Sequence, residues 1–278
     1  MELRFENELG SIVMSGGGSG EIRITSINGL GVPAYERRLL TSYDFDGAAE
    51  SARRMPVRSI TVSGDLTGGR EQAALLSRIL SQPCVMAVIC DVFEREVKVS
   101  AAEAVFSDKT RSFIKFALSL TCDDPYFYDY AETRKGLFTR ERLITEDTVL
   151  PSVFSTRSEE TEIVVSGDRA VEPTIVICGG VKKEGDSGSV VIENTTSGKS
   201  FTLEYIPAEN EIITIDVAAR TVTSDIAGNI IGCISDDSFL SDLVIEQGTA
   251  ALRTVGYGAT GSMNAYIVYK NKYIEAMV

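Results

Sequence analysis

The chain has 278 residues, of which 44% are apolar and 24% are charged, and this balance excludes a disordered or a collagen-like chain. Its 27 Lys and Arg residues against 40 Asp and Glu residues give a formal net charge of −13, which argues against a nucleic-acid-binding surface, because such a surface needs clustered cations. The length predicts about two domains, and Met1 to Gly20 lacks the pattern of a signal peptide, so we expect a protein that is made and kept in the cytosol.

The first distinctive segment is the glycine-rich stretch Gly16-Gly-Gly-Ser-Gly20, which lies between two strand-like segments that end at Met14 and begin at Ile22. Five residues of this kind do not specify a single conformation. We therefore expect an exposed hairpin tip or arm that can become ordered against a neighbour.

One helix is predicted, over about residues 70–82. Leu75, Leu76, Ile79 and Leu80 form one apolar stripe, and Pro83 ends the helix. The preceding Gly64–Arg70 segment lacks the Lys-Ser/Thr pair of a phosphate-binding loop, so it is predicted to be the turn that leads into the helix.

Nearly all other apolar residues alternate with a period of two, which is typical of half-buried strands. Parallel sheets need repeated crossover helices, and one helix is too few. The sequence therefore predicts a mainly-β protein with two antiparallel β-sandwich domains, the first of which contains the helix.

The strand-like run Phe113–Cys122 ends in Asp123-Asp-Pro-Tyr-Phe-Tyr-Asp129. Pro125 cannot donate to a strand ladder and directs Asp124 away from helical backbone, so the chain must turn here. The residues predict a packing role for the aromatic side chains that follow.

A polar, charge-rich stretch from Arg134 to Glu162 is where we place the domain junction, which gives predicted domains over 1–133 and 134–278. The second half then supplies eight or nine short strands with turns every 8–12 residues. This spacing is typical of a sandwich or jelly roll.

The complete absence of histidine excludes Ser-His-Asp and Cys-His triads, histidine-bearing zinc sites and imidazole bases. Carboxylate chemistry of the glycosidase type stays open, because it needs only two acids about 5–9.5 Å apart. With 40 acids such pairs arise by chance, so we interpret the candidates as solvated residues: Asp123, Asp124, Asp129, Glu204, Asp216, Asp236 and Asp237.

Two further patterns are excluded as sites. Gly256-Tyr-Gly-Ala-Thr-Gly261 matches a dinucleotide fingerprint, but the residues after it alternate like a strand, so we expect a loop between the last two strands. The five cysteines lie in apolar, strand-like contexts without a Cys-x₂-Cys pair, so they are predicted to be buried free thiols. We predict no catalytic, cofactor-binding or metal-binding residue and no enzymatic activity.

Tyrosines in the second half raise the alternative of a carbohydrate-binding module. A jelly roll often presents aromatic side chains on a concave face, but tryptophan, the best stacking residue for sugars, is absent. Packing is therefore favoured over ligand stacking for the candidates Tyr205, Tyr257, Tyr266, Tyr269 and Tyr273.

The order of these features resembles the distal tail proteins of long-tailed bacteriophages and related prophage tails. The resemblance spans nearly the whole chain and lies in the following segments: Arg58–Leu66 leading into the helix, Phe113–Cys122 with Asp124-Pro125-Tyr126-Phe127, Gly167-Asp168 with Glu172–Gly179, Ile213–Val217 with Ala218-Ala219 and Val222, and Phe239–Gly248.

The resemblance implies a structural protein of the virion tail that is assembled in the host bacterial cytoplasm. In that family the N-terminal domain forms a hexameric ring that joins the tail tube to the tip or baseplate hub and lets DNA pass, and a galectin-like C-terminal domain faces outward. The implied partners are tail tube and hub proteins, with tape-measure and receptor-binding proteins as further candidates. The alternative is a carbohydrate-binding module that recognises a host cell-wall saccharide during adsorption.

Overall fold

A computed structural model describes most of the chain, including the side chains of nearly all the residues that it describes. The described residues are 1–17, 21–41, 43, 46–67, 69–107, 114–137, 139–142, 155–158, 160–179, 181–182, 188–257, 259–260 and 264–276.

The chain divides into two compact units, one formed by Met1–Tyr130 with Lys272–Val278 and the other by Ala131–Asn271. The predicted boundaries, 1–133 and 134–278, differ from these units at the C-terminus. Tyr273 pairs with Phe127, and the N–H of Ala276 donates to the carbonyl of Leu30 at 2.8 Å. These backbone bonds place the C-terminal end of the chain in the first unit. A strand of two residues is too short to show a hydrophobic periodicity, so the sequence pattern did not predict it.

The first unit contains one long sheet, one helix and one separate strand pair. Its elements are β1 (Glu2–Asn7), β2 (Gly10–Ser15), β3 (Ile22–Asn28), β4 (Glu36–Leu40), β5 (Ala49–Arg54), β6 (Arg58–Leu66), α1 (Gly69–Leu80), β7 (Cys84–Ile89), β8 (Glu94–Val99), β9 (Ala101–Ser107), β10 (Ile114–Cys122) and β11 (Phe127–Asp129), with the last strand of the chain, β26 (Lys272–Tyr273).

The ten-stranded sheet has the order β26-β11-β8-β7-β1-β2-β3-β6-β10-β9. All of its described pairs are antiparallel except β2 and β3, which are parallel at Ser15 and Arg23. The hairpin alternative for Gly16–Gly20 is therefore wrong, because a hairpin would make these two strands antiparallel, whereas the alternative of an arm stays a prediction. Gly16 and Gly17 are exposed, whereas residues 18–20 lie outside the described part.

Helix α1 confirms the predicted helix, although it ends two residues earlier, at Leu80. Leu76, Ile79 and Leu80 are buried in the core of the sheet, as the apolar stripe predicted. In β10 every second side chain, from Ile114 to Cys122, is buried in the same core.

Gly64 lets β6 lie close to the backbone of β3 and to a side chain of β10. A Cβ atom on Gly64 would lie 2.0 Å from the carbonyl oxygen of Arg23 and 2.8 Å from the ring of Phe116. Only glycine lets the neighbouring backbone and this aromatic side chain approach β6 at that point.

In the described residues, the second unit contains two main sheets, two short strand pairs and two 3₁₀ turns. Its strands are β12 (Thr133–Gly136), β13 (Thr139–Arg142), β14 (Ser155–Ser158), β15 (Glu160–Val165), β16 (Thr174–Cys178), β17 (Val181–Lys182), β18 (Ser189–Asn194), β19 (Lys199–Leu203), β20 (Ile212–Asp216), β21 (Thr221–Ser224), β22 (Gly228–Asn229), β23 (Gly248–Tyr257), β24 (Ala259–Thr260) and β25 (Asn264–Tyr269), with 3₁₀ turns at Ile231–Cys233 and Leu240–Leu243.

The two main sheets of this unit have the orders β12-β25-β16-β20-β21-β22 and β15-β23-β18-β19. Both contribute to one buried core, for example Ile175 and Ile267 from the first sheet and Ile192 and Phe201 from the second. All described pairs in these sheets are antiparallel. The predicted mainly-β, sandwich-like fold with one α-helix is therefore confirmed.

Candidate assembly surface

Strands β4 and β5 form a hairpin, Glu36–Arg54, which we call the exposed hairpin. Among the described strands, these two pair with each other and with no third strand, and every residue of both is exposed. A two-stranded hairpin without a covering layer has marginal stability in water. The two strands of the hairpin therefore pair without a hydrophobic core of their own.

The contacts within the exposed hairpin are polar and solvent-facing. Arg54 Nε lies 2.6 Å from Glu36 Oε2, and the guanidinium of Arg53 lies 3.8 Å from the ring centre of Tyr35. Exposed ion pairs contribute about 0–1 kcal/mol, and exposed cation–π contacts contribute about as little. These contacts order the hairpin only weakly.

Apolar side chains at and near the exposed hairpin face solvent. Leu39 is 50% exposed, Leu40 is 55% exposed and Tyr43 is fully exposed, while Val32 just before the hairpin is 63% exposed. Clustered exposed apolar side chains mark interaction surfaces more often than single ones do. Four arginines, Arg37, Arg38, Arg53 and Arg54, flank the apolar residues on these two strands of an otherwise acidic chain.

The ten-stranded sheet offers a second open surface beside its edge strand β9. Residues of β3, β6, β9 and β10 line a groove of about 240 Å³, and five of the ten described lining residues are serine, threonine or alanine. Val105 in β9 is 53% exposed. An uncovered edge strand is a ready site for pairing with another chain.

The aromatic junction after β10 is buried by contrast, as its predicted packing role requires. Phe127 is fully buried in the core of the first unit. Asp124 accepts hydrogen bonds from the N–H of Tyr126 at 3.1 Å and from the hydroxyl of Tyr128 at 2.6 Å, and these bonds fix the turn around Pro125.

Arg58, at the start of β6, stabilises this junction through hydrogen bonds from its buried side chain. Its side chain is buried and donates to the carbonyls of Pro125 at 2.6 Å, of Gly29 at 2.7 Å and of Gly31 at 2.9 Å, and also to that of Ile274. Burial lowers the pKa of Arg58 from its ordinary value. The four carbonyls provide the hydrogen bonds that a buried cation requires.

In the second unit, the acid Glu211 is the most buried carboxylate of the described residues, with 1% of its surface exposed. It accepts hydrogen bonds from the hydroxyl of Tyr205 at 2.7 Å, from the N–H of Ala208 at 2.6 Å and from the hydroxyl of Ser224. Burial alone raises the pKa of Glu211, but these bonds outweigh burial and hold it below the ordinary value. Burial and the bond to Glu211 raise the pKa of Tyr205 to about 12.

The candidate carboxylates of the sequence do not assemble into one site. Asp123, Asp124 and Asp129 belong to the first unit, and Asp216 accepts a bond from the N–H of Ala219 at 2.8 Å in a turn of the second. Glu204 lines the same cavity as Glu211, while Asp236 and Asp237 follow the first 3₁₀ turn. In the described part of the chain, no group of three acids or cysteines is placed to hold a metal ion.

The candidate tyrosines are mostly engaged in packing. Tyr269 is buried and donates to the carbonyl of Val164 at 2.9 Å. Tyr266 and Tyr273 face the guanidinium groups of Arg134 and Arg95, at 3.6 and 3.8 Å from their ring centres. The side chain of Tyr257 lies outside the described residues.

Sequence reasoning missed the exposed hairpin and Glu211. Arginines on both strands of the hairpin interrupt the period-two alternation of apolar residues seen elsewhere in the chain. This interruption could have indicated that the two strands are not buried in a core. Nothing in Glu209-Asn-Glu211 separated the buried acid from the exposed one. All five cysteines are free, but only Cys84 and Cys122 are buried as predicted, whereas Cys90, Cys178 and Cys233 are partly buried. Burial raises the pKa of Cys84 and of Cys122 to about 11. None of the helices in the described part is long and apolar enough to cross a membrane.

Solved structures share this fold over nearly the whole chain. The SPP1 Dit protein, described as a paradigm of the hub adsorption apparatus in phages that infect Gram-positive bacteria, superposes with a TM-score of 0.64 at 16% identity, covering 91% of this chain and 93% of that one. A chain of the phage P2 baseplate in its activated conformation with calcium superposes with a TM-score of 0.55 at 10% identity, covering 99% of both chains. The corresponding strontium structure gives the same values. No family model and no curated protein matches the sequence.

Proposed function

We propose that this chain, which has the fold of phage tail-tip proteins, is a structural, non-enzymatic component of a bacteriophage or prophage tail and forms a hexameric ring between the tail tube and the tip or baseplate hub. The observation that carries the proposal is the exposed hairpin, because in a lone chain its apolar side chains face solvent and no second layer covers its two strands. A closed ring supplies that surface from the neighbouring copy.

The fold likeness and the charge support the same role. Both structural relatives named above are phage tail-tip or baseplate proteins. A net charge of −13 repels DNA, so a ring of such chains would let DNA pass without binding it. In this proposal the partners are the tail tube and hub proteins, with tape-measure and receptor-binding proteins beyond them, and the site of action is the virion tail.

The role of the exposed hairpin is tested by the mass of the assembled particle. We expect the purified chain, alone or co-expressed with its tail tube protein, to form particles of six chains of 30.1 kDa each and six-fold rings in electron images. The double variant Leu39→Asp with Leu40→Asp is expected to remain folded and monomeric, because it places charges on the contact surface.

A control is Ile226→Asp in the second unit, where an apolar side chain that is more exposed than Leu39 and Leu40, at 67%, is also changed to aspartate. The control is expected to assemble like the unchanged chain. A monomer of the unchanged chain under both conditions would contradict the ring, and rings formed by the double variant would contradict the role of the hairpin.

A further inference from the structure

Residues Lys272–Ala276, which we call the return segment, follow the second unit in the sequence but belong to the first unit. The segment begins as β26, which pairs with β11. The carbonyl of Glu275 accepts a hydrogen bond from the side chain of Arg95 at 2.6 Å. Ala276 is 1% exposed and lies in the core of the first unit. The return segment is therefore bound to the first unit along its length.

The return segment ends beside the residues that lead into the exposed hairpin. The N–H of Ala276 donates to the carbonyl of Leu30 at 2.8 Å, and the side chain of Leu30 is 2% exposed. Strand β4 begins a few residues later, at Glu36. The first strand of the hairpin is therefore attached to the core at the point where the return segment binds.

Arg58 attaches the second strand of the hairpin to the same place. Strand β5 ends at Arg54, and Arg58 follows at the start of β6. Its buried guanidinium donates to the carbonyls of Gly29 at 2.7 Å and of Gly31 at 2.9 Å, and to that of Ile274 in the return segment. One side chain thus joins the two ends of the hairpin to each other and to the return segment.

We propose that the return segment controls assembly by fixing the hairpin root, which is Gly29–Gly31 together with Arg58, and so holds the exposed hairpin in the orientation that contacts a neighbouring copy. The proposal rests on the role of the hairpin in the proposed function. Because the hairpin has no core of its own, its orientation depends on how its two ends are held.

Displacement of the return segment removes two contacts of the hairpin root. Arg58 loses the carbonyl of Ile274 as an acceptor, and the carbonyl of Leu30 loses the N–H of Ala276 as a donor. Buried polar groups that lose their partners favour rearrangement of the backbone around them. A hairpin of variable orientation also loses more conformational freedom when it docks, which weakens association.

The position of the return segment in the sequence gives this arrangement a consequence for synthesis. A chain is made from its N-terminus, and its domains fold as they emerge. The residues of the first unit up to Tyr130 are therefore made well before the return segment. An oriented hairpin, and with it assembly, has to wait until the second unit has been synthesised.

The test measures the distance between two spin labels on the full, dissociated chain by double electron–electron resonance. One label is placed on the hairpin at Ala52→Cys and the other on the sheet at Ser119→Cys, both of which are exposed positions. The partly buried cysteines are first replaced by serine so that the labels react at the two chosen sites: Cys90, Cys178 and Cys233.

Ala276→Asp places a charge at a buried position and is expected to displace the end of the return segment. We expect a broader distance distribution than in the chain with Ala276, and loss of the assembled particle, while the amides of β6 and β10 keep slow hydrogen exchange. The matched control is Glu275→Gln, which keeps the carbonyl that accepts from Arg95 and is expected to change neither the distribution nor the particle.

Tyr273→Ala carries the test if Ala276→Asp makes exchange fast in β6 and β10. It weakens the return segment without burying a charge, because it removes the ring that lies 3.8 Å from the guanidinium of Arg95. A smaller broadening of the distance distribution in the same direction is expected.

An unchanged distance distribution in both variants overturns the proposal. Particles formed by a variant with a broadened distribution overturn it as well, because assembly would then not depend on the orientation of the hairpin. Failure of the unchanged chain to form particles would instead contradict the proposed function. In that case the distance distributions still decide whether the return segment fixes the hairpin.

Discussion

Two regions of the first unit use the same residue types in opposite ways. At the junction after β10, Arg58 is buried, donates to four carbonyls and faces the ring of Phe127 at 4.6 Å. At the exposed hairpin, Arg53 is solvent-exposed and faces the ring of the half-buried Tyr35 at 3.8 Å. An arginine beside an aromatic ring therefore stabilises the fold in one region and is left available for contacts in the other.

The difference distinguishes the part of the unit that is stabilised by contacts within one chain from the part that lacks such contacts. Each nitrogen of the buried Arg58 guanidinium donates to a carbonyl of the same chain, so this junction is held by contacts within one chain. The exposed hairpin has no core, and its exposed contacts stabilise it only weakly in a lone chain. We therefore interpret the junction as the stabilising region and the hairpin as the assembling region of the molecule.

The largest expected effect is that of Arg58→Met on stability. The substitution keeps an apolar stem but removes the shared donor of four carbonyls, and each of these that stays shielded from water and unsatisfied costs about 1–3 kcal/mol. We expect the free energy of unfolding to fall by about 4 kcal/mol or more, measured by urea denaturation. Arg53→Met on the hairpin is the control and is expected to change it by less than about 0.5 kcal/mol. Equal effects would remove the distinction between the two regions.

Glu211→Gln extends the comparison to a buried network in the second unit. It weakens three hydrogen bonds to a carboxylate, so we expect a loss of about 2 kcal/mol at neutral pH. Because the folded pKa of Glu211 lies below its ordinary value of 4.5, its contribution is present above pH 4.5 and is lost as the pH falls through the folded pKa.

Denaturation curves at several pH values check this prediction. The difference between the unchanged chain and Glu211→Gln is expected to shrink on acidification below pH 4.5. A difference that grows in acid would show that the carboxyl group is protonated in the folded chain.

Phe127→Leu is expected to have a smaller effect, a loss of about 1 kcal/mol or somewhat more, because it preserves apolar character but leaves a small cavity in the core. Tyr35→Leu beside the exposed hairpin is the matched change and should leave the free energy of unfolding nearly unchanged. Thermal or urea unfolding measures both, and a larger loss for Tyr35→Leu would show that the hairpin supports the fold.

The smallest expected effect on a single chain is that of Arg54→Ala, which removes the 2.6 Å ion pair with Glu36. Both side chains are solvent-exposed, so we expect a change of at most about 0.5 kcal/mol in the free energy of unfolding. A loss above 1 kcal/mol would show that the hairpin is stabilised internally and needs no partner.

The regular elements were predictable because their sequence patterns are local. The stripe from Leu75 to Leu80 indicated the helix, and the alternation from Ile114 to Cys122 indicated a half-buried strand. The burial of Phe127 followed from the turn that Pro125 imposes. In each case the residues that decide the structure are close together in the chain.

The remaining features depend on residues that are far apart in the chain. Arg58 reaches Ile274 across 216 positions, and no local pattern indicates that pairing. The parallel pairing of Ser15 with Arg23 follows from the order of strands in the whole sheet. The acid Glu211 is buried because Ser224 and Tyr205 donate to it, which the sequence around Glu211 does not show.

The most direct test of the account is hydrogen–deuterium exchange at the amides of β4 and β5, measured in the assembled particle and in the same chain dissociated by dilution. The account predicts slow exchange in the particle and fast exchange in the dissociated chain, while the amides of β6 and β10 stay slow in both. Fast exchange at β4 and β5 in the particle would contradict the claim that the exposed hairpin is the assembling region.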